Sequence, residues 1–133
     1  RGRLFLLMLH FPEQDYAMKK DLAEHRCKPC EGGVQPLTME QAQELLRALD
    51  SAWSISDDGL AIARSFEFDA YSRTLGFANA VAWIAIAEDH HPVLTFEYGC
   101  CHVSYTTHAI NGLSDNDFIC AAKIDRLAES TLK

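Results

Sequence analysis

Apolar residues recur along this chain in helical and extended rhythms by turns. Thr38 and Gln41 stand three apart in capping-box spacing, and Leu45, Leu46 and Leu49 form a stripe opposite Glu40, Glu44 and Arg47, which predicts a helix to about Asp50. Trp53-Ser54-Ile55-Ser56, the Asp57-Asp58-Gly59 turn and a run through Ile62, Arg64, Phe66 and Phe68 read as strand, tight turn, strand. Asp69 is placed to cap a second helix over about 70–88. Leu75, Ala78, Ala82 and Ala85 share one side of it, and Phe77, Val81 and Ile84 widen the apolar surface until it needs cover on more than one side. Beyond Pro92, residues 94–98, Gly99 and residues 101–107 read as a second hairpin, with Val103 and Tyr105 alternating against His102 and Ser104. Ser114 and Asp117 then open a last helix to about Glu129, whose stripe is Phe118, Ile119, Ala122, Ile124 and Leu127.

The order helix, strand, strand, helix, strand, strand, helix predicts an α+β fold, a four-stranded antiparallel sheet with three helices packed on one face. The chain length of 133 residues suits a single core. Pro29, Gly32, Gly33 and Pro36 mark residues 27–36 as a loop or arm, so residues 1–36 read as an N-terminal extension and residues 37–133 as the domain. Residues 4–11 are apolar behind Arg1 and Arg3. They form a short stretch, contain His10 and lack a small-residue cleavage site, so a secretory signal is not the expected reading. Met18 opens a segment with the look of an ordinary N-terminus, and residues 1–17 read as a leader or extension.

Hydrophobic residues at 48% and charged residues at 23% are the balance of a globular chain, and no stretch reaches the ~20 apolar residues of a membrane span. A net charge of -7 leaves no basic surplus for phosphates, which argues against direct nucleic-acid binding and toward small molecules or protein partners. Five cysteines, with Cys100 and Cys101 adjacent, do not form a disulfide framework, so a reducing, cytoplasmic setting is expected. Cys27-x-x-Cys30 is half of a zinc or redox motif without a second pair, and a Pro-Gly-rich arm is the better reading. Cys120 falls within the last helix as a small apolar residue.

The candidate chemistry lies in the histidines. His90 and His91 stand where the second helix ends and Pro92 forces a turn, and that turn lets neighbouring side chains serve one site. His108 follows the last strand in Thr106-Thr107-His108, again at an element end. Imidazole, with an ordinary pKa of about 6.5, donates and accepts protons near neutrality, and Asp89 beside His90 is placed to orient a ring or stabilise its charged form. A His-His pair at a helix end is, by itself, equally a solvated last turn that complements the helix dipole. The spacing matches no common zinc signature, so neither a metal nor another cofactor is expected.

Glu88-Asp89-His90-His91-Pro92, Phe96 and Tyr98, Thr106-Thr107-His108, then Gly112-Leu113-Ser114 and Asp117 resemble in order and spacing the signature of the pterin-4a-carbinolamine dehydratases. The similarity extends back through Trp53, the Asp58-Gly59 turn, Phe66 and Phe68 and covers about residues 20–130, and residues 27–33 are similar to an N-terminal arm of some members. The resemblance implies dehydration of 4a-hydroxytetrahydropterin to quinonoid dihydropterin in tetrahydrobiopterin recycling, serving aromatic amino-acid hydroxylases, by a homodimer or homotetramer. By position it implies His90 and His108 as the acid-base pair flanking the pterin, His91 as the residue that binds and orients it, Asp89 as support, and Asp117 at the rim with Thr106 and Thr107.

Many members carry a Glu one helical turn before the first histidine, where this chain has Ile86. Glu88 is on a different helical face and does not replace it from the same direction. Some members act instead as dimerisation partners of transcription regulators, through an exposed apolar helix face. Three histidines and an Asp in register favour the enzyme over that binding module. Pterin side-chain preference, the hydroxylase served and the choice between dimer and tetramer are not written in these residues.

Overall fold

Thr38 starts the first helix as its spacing predicts. Its backbone is extended, its side chain accepts the Gln41 N–H at 3.2 Å, and the Gln41 side chain accepts the Thr38 N–H at 2.9 Å. In the computed structural model, which describes residues 22–30 and 32–131, this helix, α1, spans Met39–Leu46. It stops short of Asp50 because the amides of Ala48 and Leu49 reach back only three residues, to the carbonyls of Leu45 and Leu46, and tighten the last turn. There follow β1 (Ser54–Ile55), β2 (Ile62–Glu67), α2 (Tyr71–Glu88), β3 (Val93–Phe96), β4 (Cys100–Tyr105) and α3 (Asp115–Thr131), with short 3₁₀ turns at Leu22–Glu24 and His108–Ile110. The apolar residues 4–11, the extension 1–17 as a whole and Met18 lie outside the described residues.

The four strands form one antiparallel sheet in the order β1-β2-β4-β3, so the two hairpins join through β2 and β4 and the fold is α+β as expected. Register explains the two faces. Ile62 opposes Tyr105, Arg64 opposes Val103 and Phe66 opposes Cys101, and the apolar members of these pairs are buried under the helices. The intervening Ser65 and His102, also opposite one another, point away from the core and are exposed. Phe66 stacks on Phe77 of α2 with ring centroids 4.6 Å apart and meets the edge of Trp53 at 6.3 Å.

Two details of α2 depart from its sequence pattern. Asp69 does not cap it; the N-cap is Ala70 with no side-chain bond, and the exposed Asp69 carboxylate pairs instead with Arg73 one turn on, at 3.2 Å. The fully buried face is Thr74, Phe77, Ala78 and Val81, and the Thr74 hydroxyl donates to the Tyr98 carbonyl at 2.9 Å, which ties the helix to the turn between β3 and β4. Trp83 and Ile86 remain 70% and 68% exposed. No described helix is long and apolar enough to cross a membrane.

α3 lies at the centre of the helical layer, with every residue from Asn116 to Ala122 buried. The arm docks on it. Leu22 is buried, Lys123 donates to the Ala23 carbonyl at 2.7 Å, and the Asn116 amide holds Lys28 from both sides, accepting its N–H at 3.0 Å and donating to its carbonyl at 2.7 Å. A cleft of about 250 Å³ opens between this arm and the start of α3, lined in part by Cys30, Leu37, Ile110 and Ser114.

Candidate active site

Three element ends converge here: the end of α2, the end of β4 and the first turn of α3. At the first, Asp89 takes the left-handed conformation (φ 50°), which a short polar side chain tolerates, and the His90 N–H returns to the Ala85 carbonyl at 3.1 Å. The reversal turns His90 inward and leaves His91 at the surface.

His90 is held by Asp117. Its Nε2 lies 2.7 Å from Asp117 Oδ1, its ring stacks on Tyr105 with centroids 5.5 Å apart and planes 7° from parallel, and its side chain keeps only 11% of its exposure. Asp117 itself is fully buried. Its other oxygen, Oδ2, accepts the Thr107 hydroxyl at 2.8 Å and the Ser114 N–H at 2.9 Å. Because the single Thr107 proton goes to the carboxylate, the Ser114 hydroxyl donates to Thr107, 2.7 Å away. Asp117 was expected at the rim beside Thr106 and Thr107. It is interior instead, because its place in the first turn of a helix buried on this side sends the carboxylate toward three donors.

Burial alone would lower the pKa of His90, but the hydrogen bond and charge of Asp117, helped by the charge of exposed Asp89, outweigh it and raise the pKa above the ordinary 6.5. The proton on His90 therefore stabilises the fold fully below the unfolded value, and that contribution is lost as pH rises through the raised folded value. The stability gap between the parent and a His90→Gln variant should be widest near about pH 5–6 and shrink above it. Urea midpoints across pH measure it, and a gap that widened with pH would contradict the assignment.

The other two histidines meet at the surface. His91 and His108 are both exposed, with ring centroids 6.2 Å apart and planes 21° from parallel. His108 begins the 3₁₀ turn after β4, which closes at Asn111 in the left-handed conformation (φ 51°) and is bridged by the antiparallel pairing of Thr107 with Gly112. The sequence-predicted residues thus form two groups, an inner one of half-buried His90 with buried Thr107 and Asp117, and an exposed one of His91 and His108. Thr106 joins neither. Its hydroxyl donates to the Leu60 carbonyl at 2.5 Å, fastening β4 to the turn between β1 and β2.

Ser114, half-buried, and Tyr105, buried, belong to the inner group without standing out as site residues in the sequence. Ser114 had a visible signal, its capping spacing to Asp117; Tyr105 read only as a core position of β4. Glu88 faces the arm. Burial would raise its pKa, but the Cys27 N–H at 2.8 Å, Lys123 at 3.4 Å and Arg26 at 3.5 Å hold it below the usual value, so its carboxylate is committed. Ile86 is open to solvent on the outer side of α2.

Comparison with known proteins finds relatives of the chain as a whole. The profile of the family described as Pterin 4 alpha carbinolamine dehydratase matches residues 35–127. A Nitrosomonas eutropha protein named for pterin-4-alpha-carbinolamine dehydratase is 55% identical over 107 residues, covering 80% of this chain and 93% of its own. A Legionella pneumophila (strain Lens) protein with the same name is 48% identical over 110 residues, covering 83% and 97%. Among solved structures, a transcriptional coactivator/pterin dehydratase from Brucella melitensis superposes with a TM-score of 0.67 at 37% identity, over 71% of this chain and 99% of that one. A pterin dehydratase-like RuBisCO assembly factor of the alpha-carboxysome shares the fold alone, with a TM-score of 0.51 at 20% identity over 58% and 89% of the two chains.

Proposed function

This chain belongs to the pterin-4-alpha-carbinolamine dehydratase family, and on that premise we propose that it converts 4a-hydroxytetrahydropterin to quinonoid dihydropterin by histidine acid-base catalysis, in tetrahydrobiopterin recycling. The observation that carries the reading is the exposed, near-parallel pair of His91 and His108, backed by a third histidine fixed on a buried carboxylate. Loss of water from a carbinolamine needs one proton delivered to the departing hydroxyl and one removed from the ring system. Two imidazoles facing solvent supply both without a metal or covalent cofactor, because an imidazole donates or accepts a proton near neutrality.

In this reading His91 and His108 contact the pterin and divide the two transfers. His90 acts behind them. Its bond to Asp117 favours the protonated ring and fixes the segment from Asp89 to Pro92 that carries His91. Asp89, exposed beside them, serves as the polar rim. Ile86 in place of a carboxylate leaves the proton work to the histidines alone.

A second reading rests on α2, whose exposed Trp83 and Ile86 form an apolar face that the histidine site does not use. Such a face suits association, either with further copies of this chain as a dimer or tetramer, or with a regulator in the manner that the name of the Brucella relative suggests. The two readings separate on turnover. With 4a-hydroxytetrahydropterin generated in the cuvette, the unmodified chain should shorten its lifetime well below the spontaneous one. A folded chain that binds dihydropterin and leaves that lifetime unchanged would replace the enzyme with the binding module.

A further inference from the structure

We infer that Cys27 and Cys120 are a redox-sensitive thiol pair, which a low-molecular-weight disulfide such as oxidised glutathione converts into a cross-link clamping the N-terminal arm to α3. Their sulfurs lie 3.5 Å apart, in contact, although 93 positions separate them in the chain. The local pattern Cys27-x-x-Cys30 suggests a different pair, but Cys30 is turned away, its sulfur 3.0 Å from the Asn116 amide nitrogen and 4.0 Å from the Ser114 hydroxyl. No group of three or more His, Cys, Asp or Glu side chains among the described residues is arranged to hold a metal ion.

The backbone around Cys27 is fixed on both sides. Its own N–H is bonded to Glu88 at 2.8 Å and the next residue is gripped by Asn116, so the two sulfurs stay opposed at 3.5 Å, against the ~2.05 Å of a disulfide. Access sets the order of events. Cys27 is partly exposed and Cys120 fully buried. The Cys27 thiolate attacks one sulfur of the oxidised glutathione and expels a glutathione thiolate, giving a mixed disulfide. The Cys120 thiolate then attacks the Cys27 sulfur and expels the second glutathione, so two protein thiols are oxidised as one small disulfide is reduced to two thiols. The hydrogen bond between the thiols, together with burial, pushes the Cys27 thiol up, which makes the exchange slow at neutrality and faster in alkali.

The test incubates the reduced full chain with oxidised glutathione at about pH 9, at the upper end of the ordinary thiol range, then alkylates the remaining thiols and maps peptides by mass spectrometry. The expected product is a Cys27–Cys120 linked peptide, with a thermal midpoint raised by about 5–15 °C and restored by dithiothreitol, because the bond closes a long loop in the unfolded chain. Cys30→Ser should form the same link, and Cys27→Ser, altered at a partly exposed position, should form none, so the test does not depend on Cys120→Ser folding. A Cys27–Cys30 bond, glutathione adducts without the internal link, five thiols still open to alkylation, or a link that leaves the midpoint unmoved would each overturn the proposal.

Discussion

An Asp117→Ala chain should lose about 3–5 kcal/mol of folding stability, the cost of leaving three inward donors without the carboxylate they share. Asp117 is wholly out of solvent and accepts three hydrogen bonds, from His90, the Thr107 hydroxyl and the Ser114 N–H. Alanine strands all three donors in the interior, one of them on an imidazole whose protonation the carboxylate had favoured, and fills none of the space. Domains of this kind are held by about 5–15 kcal/mol in all, so the variant should sit near the edge of unfolding. Asp117→Asn keeps the shape and one acceptor but turns an amide N–H₂ toward donors, and should fall between parent and alanine. Urea unfolding at pH 7 measures both. An alanine variant within about 1 kcal/mol of the parent would show that Asp117 does not organise the site.

That position also marks how far the chain's pattern could be read. Thr38 with Gln41 and Ser114 with Asp117 were legible as helix starts because capping is local chemistry, confined to four residues. The same spacing says nothing of where the carboxylate points beyond its own turn. Its burial depends on Thr107, ten residues back, and on His90, 27 residues back, brought together only by the packing of α2, β4 and α3. Asp69 failed in the other direction. It has the composition of a cap, yet Arg73 one turn later offered its carboxylate a better partner than the helix amides did. The alternation of Val103 and Tyr105 with His102 and Ser104 was legible in full, since a sheet covered on one face enforces a period of two. The contact of Cys27 with Cys120 was not, because the nearer Cys30 draws a local reading and only the docked arm reveals the distant one.

For the site, adjacency and resemblance marked all three histidines without sorting them. The turn at Asp89 does the sorting, sending one ring onto a buried carboxylate and leaving the next beside His108. In the proposed mechanism the inner histidine positions the site and the exposed pair meets the ligand.

His108→Ala is therefore the variant with the largest expected effect on chemistry. Positioned acid-base groups contribute ~100 to 10,000-fold, and the proposed mechanism gives His108, exposed beside His91, one of the two proton transfers. Its exposure means that truncation removes little packing, so the midpoint of unfolding should stay within about 0.5 kcal/mol of the parent. The most direct measurement is the rate of quinonoid dihydropterin formation from 4a-hydroxytetrahydropterin by equal amounts of folded parent and His108→Ala protein, each set against the spontaneous rate. The exposed-pair mechanism requires a parent well above the spontaneous rate and a variant at least about 100-fold slower in its catalysed component. A variant that turns over the pterin as fast as the parent would contradict it.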